Sequence, residues 1–304
     1  MTAYLTRRIM QAIGVLLLVT VVVFALIRLA PGGTTADVLG TGSPHQQFLL
    51  QYLTWLSHVV RGDLGYSRVR NESVTYLLAA SLPRTLALMG ISTLIALLIA
   101  IPLGLIQATR RGRATDHVLG GLTYVLYGTP TFVLGALLIL FLAIDKHLFG
   151  AEGPQAPGIV GVVTDVRDLT LPVLTLALVT IATFARYMRS AAIDTLAQEY
   201  VEAARARGAG QRRVVAAHVL RNSLVPIVTL VGLSFPQIVG GAVVVESLFN
   251  IQGMGWQIWQ AVVRHDFAVT LGFTLVISVG AVLGSLLADV GYAALDPRVR
   301  FARA

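Results

Sequence analysis

The polar residues of this chain leave little chemistry open except docking by charge. There is no cysteine, which removes disulfides, zinc–thiolate sites and thiol nucleophiles. Lys146 is the sole lysine and sits between Asp145 and His147, so no Gly-Lys-Ser/Thr phosphate loop exists. If the protein uses ATP, another chain binds it. His45, His58, His147 and His265 are scattered over polar segments without ligand spacing, so no metal site is expected. No His, Asp and Ser constellation at useful spacing falls inside an apolar run, which argues against an intramembrane enzyme. What remains is the stretch from Asp194 to Pro226, DTLAQEYVEAARARGAGQRRVVAAHVLRNSLVP, which mixes acids, arginines and small residues with helical periodicity.

Two short helices must position those charges. Leu196, Ala197, Tyr200, Val201 and Ala204 recur on one helical face, and Glu199, Glu202 and Arg205 fall on the opposite one. Gly208 and Gly210 stop this helix, because glycine accepts the left-handed turn that ends one. A second short helix is expected from Gln211 to Arg221, with Arg212 and Arg213 in its first turn, where the helix dipole disfavours them. A negative partner surface or anionic lipid would offset that cost.

The rest of the chain is apolar. Of 304 residues 56% are hydrophobic and only 12% charged, against about 25% charged in soluble domains. Six membrane spans are expected: Ile9–Ala30, Leu86–Ala108, Val118–Ile144, Leu171–Ala192, Leu224–Val245 and Thr270–Tyr292. The first run is too long for a secretory h-region and ends in the turn Pro31-Gly32-Gly33, so it is read as an uncleaved helix. Gln46 to Val60 has the spacing of a surface helix, and Arg61-Gly62-Asp63 within the next turn is a chance tripeptide. Gly128-Thr129-Pro130-Thr131 should kink the third span, and Asp145 to Thr170 reads as a loop. Gly232, Pro236 and Gly240 give the fifth span a small-residue face. Ser234 and Gln237 lie elsewhere on it as possible lining of a translocation pathway, or as polar residues that bond a neighbouring helix. Arg110, Arg111 and Arg113, then Arg186 and Arg189, then the arginines of 194–226 and of the tail all fall on alternate loops. The positive-inside rule therefore puts both termini in the cytoplasm and accounts for the net charge of +8 without nucleic acid.

Glu202-Ala203-Ala204, three residues, then Gly208 resembles the EAA loop of the inner-membrane subunits of ATP-driven, binding-protein-dependent importers. The general pattern brings a Leu-Pro pair soon after; here Leu220 is followed by Arg221 and the proline comes at Pro226, as in the peptide and nickel subgroup. Arg28-Leu29-Ala30-Pro31-Gly32, Gly62-Asp63-Leu64-Gly65, Glu246-Ser247-Leu248-Phe249-Asn250 with Gly253-Met254-Gly255, and Tyr292-Ala293-Ala294-Leu295-Asp296-Pro297-Arg298 are similar to the same subgroup, in order along the chain. The resemblance implies an all-α membrane protein of the type I ABC importer permease fold, a MetI-like core preceded by an extra helix. Its parts would be an N-terminal transmembrane helix at 1–30, an extracytoplasmic segment at 31–81, the core at 82–292 with the coupling segment 194–226 inside it, and a cytoplasmic tail at 293–304.

The resemblance also implies partners: a homologous but different second permease, two ATP-binding subunits that hold the ATP and magnesium, an extracytoplasmic substrate-binding protein and membrane lipid. In such a subunit Glu202 would make a polar contact with the ATPase groove, Ala203 and Ala204 would keep the helix slim there, and Gly208 would make the turn. Arg205 and Arg207, with Arg212 and Arg213, would meet acidic ATPase surface or lipid. Peptide is the expected substrate; nickel or another small solute is the alternative. A secondary transporter or channel is a more distant reading, disfavoured because Arg28, Glu246 and Asp289 all sit near span ends and leave the spans nearly free of charge.

Overall fold

The computed structural model describes residues 2–29, 48–156, 158–240 and 242–295. Helix α1 covers Thr2–Leu29 and α2 Phe48–Val60; a two-stranded hairpin, β1 Tyr66–Ser67 and β2 Glu72–Ser73, leads into α3, Val74–Thr109. Then come α4 Ala114–Gly128, α5 Thr131–Leu138 extended by a π-helical stretch to Asp145, α6 Gly158–Thr164 and α7 Val166–Leu196. Helix α8 is Glu199–Ala206 and α9 Gln211–Val214, which a π-helical stretch, Val215–Val219, joins to α10, Leu220–Gly240. Helices α11 Val243–Leu248, α12 Met254–Val263 and α13 Phe267–Leu295 complete the described chain. The motif Arg28 to Gly32, residues 31–47 and most of the tail 293–304 lie wholly or partly outside the described residues.

The expected spans fall on helices with other bounds. Among the described residues four are long and apolar enough to cross a membrane, Val74–Thr109, Val166–Leu196, Gln211–Val239 and Phe267–Gly291, or five if the bent pair at 114–145 is one span. In α1 the stretch Ile13–Leu26 is a shorter apolar helix. The bend expected at Gly128–Thr131 is found there, as a full break: Ala114–Gly128 and Thr131–Asp145 meet at 102°. Pro130 has no N–H to continue the ladder and forces Thr129 out of the helical region, to φ −83° and ψ 124°. The second span does not open at Leu86. It begins at Val74 and runs through Pro83, because Val74, Leu77 and Leu78 pack into a core with Met254, Ala261 and Phe273 that holds the extra turns. The loop expected from Asp145 to Thr170 carries helix α6, and helices α11 and α12 stand between α10 and α13.

The chain divides into two compact units. The first contains Met1–Met89, Gly150–Leu169 and Pro236–Leu283. Here Phe24 of α1 meets Tyr52 edge-on at 5.7 Å and shares a buried cluster with Trp55, Phe267 and Leu271, while Thr20 bonds the Tyr52 hydroxyl at 2.9 Å. These contacts seat the first helix. The Ser67 hydroxyl donates to the buried carboxylate of Asp266, which precedes α13 and accepts the Val269 N–H, so the hairpin is tied to that helix start. The centre of the unit is Glu246, fully buried. Its Oε1 accepts the Thr85 hydroxyl at 2.7 Å, its Oε2 accepts the Trp256 N–H at 2.8 Å, and Thr85 Oγ1 in turn accepts the Met254 N–H at 2.7 Å.

The second unit contains Gly90–Phe149, Thr170–Phe235 and Gly284–Ala304. Ala96 and Ala100 of α3 pack on Ala177, Ile181, Phe184 and Ala185 of α7. Small residues bring α10 and α13 together as expected of Gly232: a Cβ there would lie 2.3 Å from the Ala288 Cβ and 2.8 Å from the Gly284 carbonyl oxygen.

Candidate functional site

The segment 194–226 belongs to the second unit. Helix α7 ends at Leu196, and after Ala197 and Gln198 the chain restarts as α8. That break resets the helical phase, so the apolar face drawn through Leu196, Ala197, Tyr200, Val201 and Ala204 is not one face. On α8 only Val201 and Ala204 are buried, Val201 in a cluster with Ala108, Ala192, Val214 and Val219, while Ala197 and Tyr200 are exposed. The Tyr200 hydroxyl accepts Asn222 Nδ2–H at 3.0 Å instead. Glu202, Ala203, Arg205 and Arg207 face outward. Ala204 turns inward at 4% exposure, so its small size serves the packing of α8 on its own chain.

Glu199 and Glu202 lie in the first turn of α8 and Arg205 in its last, the arrangement the helix dipole favours. Gly208 ends it in the left-handed region at φ +85°; its N–H bonds the Arg205 carbonyl at 2.9 Å and the Ala209 N–H reaches back to Ala204 at 3.1 Å. These paired bonds satisfy the carbonyls that a helix end leaves open. No atom lies within 4 Å of a Cβ added at Gly208, so substitution there costs torsion alone. Gly208→Val is expected to lower stability by about 1–2 kcal/mol, with Gly208→Asn recovering most of it; thermal unfolding of the purified protein reads both. The second short helix is not separate. From Gln211 it continues through the π-helical stretch into α10, so Arg212 and Arg213 stand at the start of the fifth span itself.

Beside this segment, Arg189 of α7 grips Asp116 of α4 with two bonds, Nε to Oδ1 at 2.8 Å and Nη2 to Oδ2 at 2.9 Å. Asp116 also accepts the Gly112 N–H at 3.0 Å, which fixes the basic turn Arg110–Arg113. The pair joins α4 to the helix that leads into α8. Its acid side chain is buried and its arginine about a third exposed, so Asp116→Ala should cost about 2 kcal/mol, less than for a wholly buried pair. Urea or thermal unfolding with Asp116→Asn alongside checks this, and no change would deny the pair a structural role.

Asp116 and Arg189 also line a cavity of about 660 Å³ between α4, α7 and the end of α3. Arg186 lies over two rings there, 4.3 Å from the centroid of Tyr127 and 5.3 Å from that of Tyr124. Among the described residues it has no carboxylate partner. Gln107 is wholly buried at the wall, and neither its amide nitrogen nor its oxygen has a hydrogen-bond partner among the described residues. Each such orphan costs about 1–3 kcal/mol.

Of the residues expected to line a pathway, Ser234 is half-buried and its hydroxyl donates to the Leu230 carbonyl within the same helix at 2.8 Å; Gln237 is exposed. Of the cavity residues the sequence singles out Arg186 and Arg189 alone, as cytoplasmic charge. Tyr124 and Tyr127, three apart on a helix, carried a signal of shared facing; the pairing of Asp116 with Arg189, 73 positions on, carried none.

The family model for "Binding-protein-dependent transport system inner membrane component" matches residues 100–301. The oligopeptide transport system permease protein AppB of Bacillus subtilis is 34% identical over 316 residues, covering 99% of this chain and all of that protein. The permease protein OppB of Mycobacterium tuberculosis is 34% identical over 327 residues, covering 99% of both. Among solved structures, a chain of the inward-facing MetNI methionine ABC transporter superposes with a TM-score of 0.57 at 19% identity, over 73% of this chain and 97% of that one, a likeness of fold. By the family model across about two-thirds of its length and by full-length relatives, this chain belongs to the inner-membrane permeases of binding-protein-dependent ABC importers.

Proposed function

We propose that the chain is one of two different permeases that together form the translocation pathway of a peptide importer, and that it has no catalytic activity of its own. The observation that carries this reading is the build of α8. Val201 holds it to the chain's own core, with Ala204 buried on the same side, and Glu202, Ala203, Arg205 and Arg207 are left outward with no role in that core. A short helix stiffly joined to the fourth and fifth spans can transmit the closure of an ATPase pair into those spans and switch the pathway between its two faces. Relatives that match end to end are oligopeptide permeases, which favours peptide over nickel or another small solute.

In this reading ATP and magnesium sit on two separate ATPase subunits, an extracytoplasmic binding protein delivers the substrate, and both termini are cytoplasmic. Ser234 and Gln237 remain candidates for pathway lining. The test is to tag the chain, extract it from its native membrane in mild detergent and identify by mass what accompanies it. An ATPase and a second permease are expected, and uptake of radiolabelled peptides should require all of them. Purification of the chain alone, in a detergent that preserves known complexes, would return the reading to a secondary transporter.

A further inference from the structure

We infer that the cavity between α4 and α7 is a water-filled stretch of the translocation pathway, with Arg186 as the positive charge on its wall. This rests on the importer reading above and places part of the pathway on this chain. Three observations carry it.

The first is the direction of Arg186. Arg189 reaches Asp116 in the first turn of α4, whereas Arg186, one turn earlier on α7, lies over Tyr127 in the last turn of α4. That last turn ends at Gly128, close to the middle of the apolar pair 114–145. A long arginine near a span end ordinarily carries its charge to the nearer surface. This one carries it along the span, away from the basic turn at Arg110–Arg113. Among the described residues the only carboxylate lining the cavity is Asp116, and Arg189 and the Gly112 N–H hold both its oxygens. An uncompensated charge within a span is sustained by water, so the cavity is wet.

The second is that α4 shows two exposed faces of opposite character. Asp116, His117, Tyr124 and Tyr127 line the cavity. Val118, Leu122 and Val125, at i, i+4 and i+7, are exposed on another face. A span helix with this pattern separates water from an apolar surrounding. The third is the pair Gly120 and Gly121, which lines the cavity in the interior of α4. Glycine weakens a helix interior, and a close neighbour is the usual reason for one. Here a Cβ at either position would meet nothing within 4 Å, so what the pair supplies is open width. The opposite wall, α7, ends at Leu196, and two residues separate it from α8. A movement of α8 therefore reaches the cavity through a single helix, as a pathway that opens and closes with the coupling segment requires.

The chain has no cysteine, so Gly121→Cys, Tyr124→Cys and Val125→Cys each place a single thiol on it. The whole transporter carrying each variant is labelled in lipid nanodiscs, where both membrane faces meet solvent. The probes are an anionic and a cationic water-soluble methanethiosulfonate and a lipid-phase maleimide, and labelling of the tagged chain is read by mass. The thiols at 121 and 124 should react with the water-soluble reagents, and the thiol at 125 with the maleimide alone. Relative to free cysteine, the anionic reagent should label Tyr124→Cys about fivefold faster than the cationic one, as a unit positive charge several Å away produces. Adding Arg186→Gln should bring that ratio near one, and Arg186→Lys should keep most of it. Peptide uptake is measured in proteoliposomes before and after labelling. Labelling at 121 or 124 should stop it and labelling at 125 should not, and ATP with orthovanadate should change the labelling rate at 121 and 124 severalfold. Comigration of each variant with its partners on size exclusion shows that the complex persists.

Thiols at 121 and 124 that resist the water-soluble reagents, while the wild type imports peptides, would mean that lipid or another subunit fills the cavity. That would overturn the proposal and leave the importer reading standing. Thiols that react in water without any effect on uptake would make the cavity a crevice off the pathway, which overturns it equally. A reagent ratio that Arg186→Gln leaves unchanged would take the wall charge away from Arg186. A wild-type complex that imports no peptide would remove the importer reading as well.

Discussion

Glu202→Lys is expected to reduce ATP-coupled uptake by more than tenfold while the chain remains inserted and folded. The side chain is exposed on α8, and among the described residues its carboxylate has no hydrogen-bond or ion-pair partner. Within the chain the change therefore touches only the helix dipole, at about 0.3–1 kcal/mol. At a contact with another subunit the same change replaces attraction by like-charge opposition, which costs several kcal/mol. The two alanines beside it separate folding from docking. Ala203 is exposed and Ala204 is buried on the inward face of α8. Ala203→Leu should impair uptake with an unchanged unfolding temperature, and Ala204→Leu should lower that temperature. Uptake and unfolding are measured on the same preparations, together with retention of the ATPase on the tagged chain. Normal uptake by Glu202→Lys would sink the assignment of this helix to coupling.

What could be read before the structure followed the range of each interaction. Spans, the surface helix at Phe48–Val60, the helix stop at Gly208 and the small face of α10 are set by periodicity and by single residues, so composition and spacing reveal them. Errors arose where long-range packing extends or interrupts a local pattern. Nothing near Val74 says that Met254 and Phe273 will keep α3 helical through Pro83. The turn at Ala197–Gln198 has no glycine or proline to announce it, yet it changes which face of α8 is buried. The same limit hid the cavity: Gln107, Asp116, Arg186 and Arg189 come from three helices, and each alone looks like an ordinary polar residue near a span end. Glu246 stood out as a rare acid near a span end, and its family motif was legible, but that it is buried among donors was not.

Glu246→Ala is expected to lower stability by about 3 kcal/mol or more, the largest structural effect in the first unit. Removing the carboxylate strands the Trp256 N–H and leaves Thr85 without its acceptor, and each stranded buried group costs about 1–3 kcal/mol. The surrounding glycines show how tightly the group is enclosed: a Cβ at Gly253 would lie 2.5 Å from Thr85 Oγ1 and 2.6 Å from the Glu246 carboxyl. This is the physical content of the Glu246 and Gly253-Met254-Gly255 motif, in which a carboxylate between α10 and α12 fastens the Met254–Trp256 turn to Thr85 of α3. Burial pushes the Glu246 carboxyl above its usual value, and the bonds from Thr85, Trp256 and Gly255 only partly draw it back. The sign of the pH dependence follows. A carboxyl that holds its proton more tightly folded than unfolded contributes stability below its unfolded value, and that contribution is lost as pH rises through its folded value. Glu246→Gln should therefore cost less at neutral pH than Glu246→Ala, because an amide can accept the Trp256 N–H and donate to Thr85 Oγ1 without burying a charge. It should also flatten the fall in stability between mildly acidic and neutral pH. Unfolding temperatures of the two variants and the parent across that range decide the matter. If Glu246→Ala unfolds at the parental temperature, the carboxylate does not hold this turn.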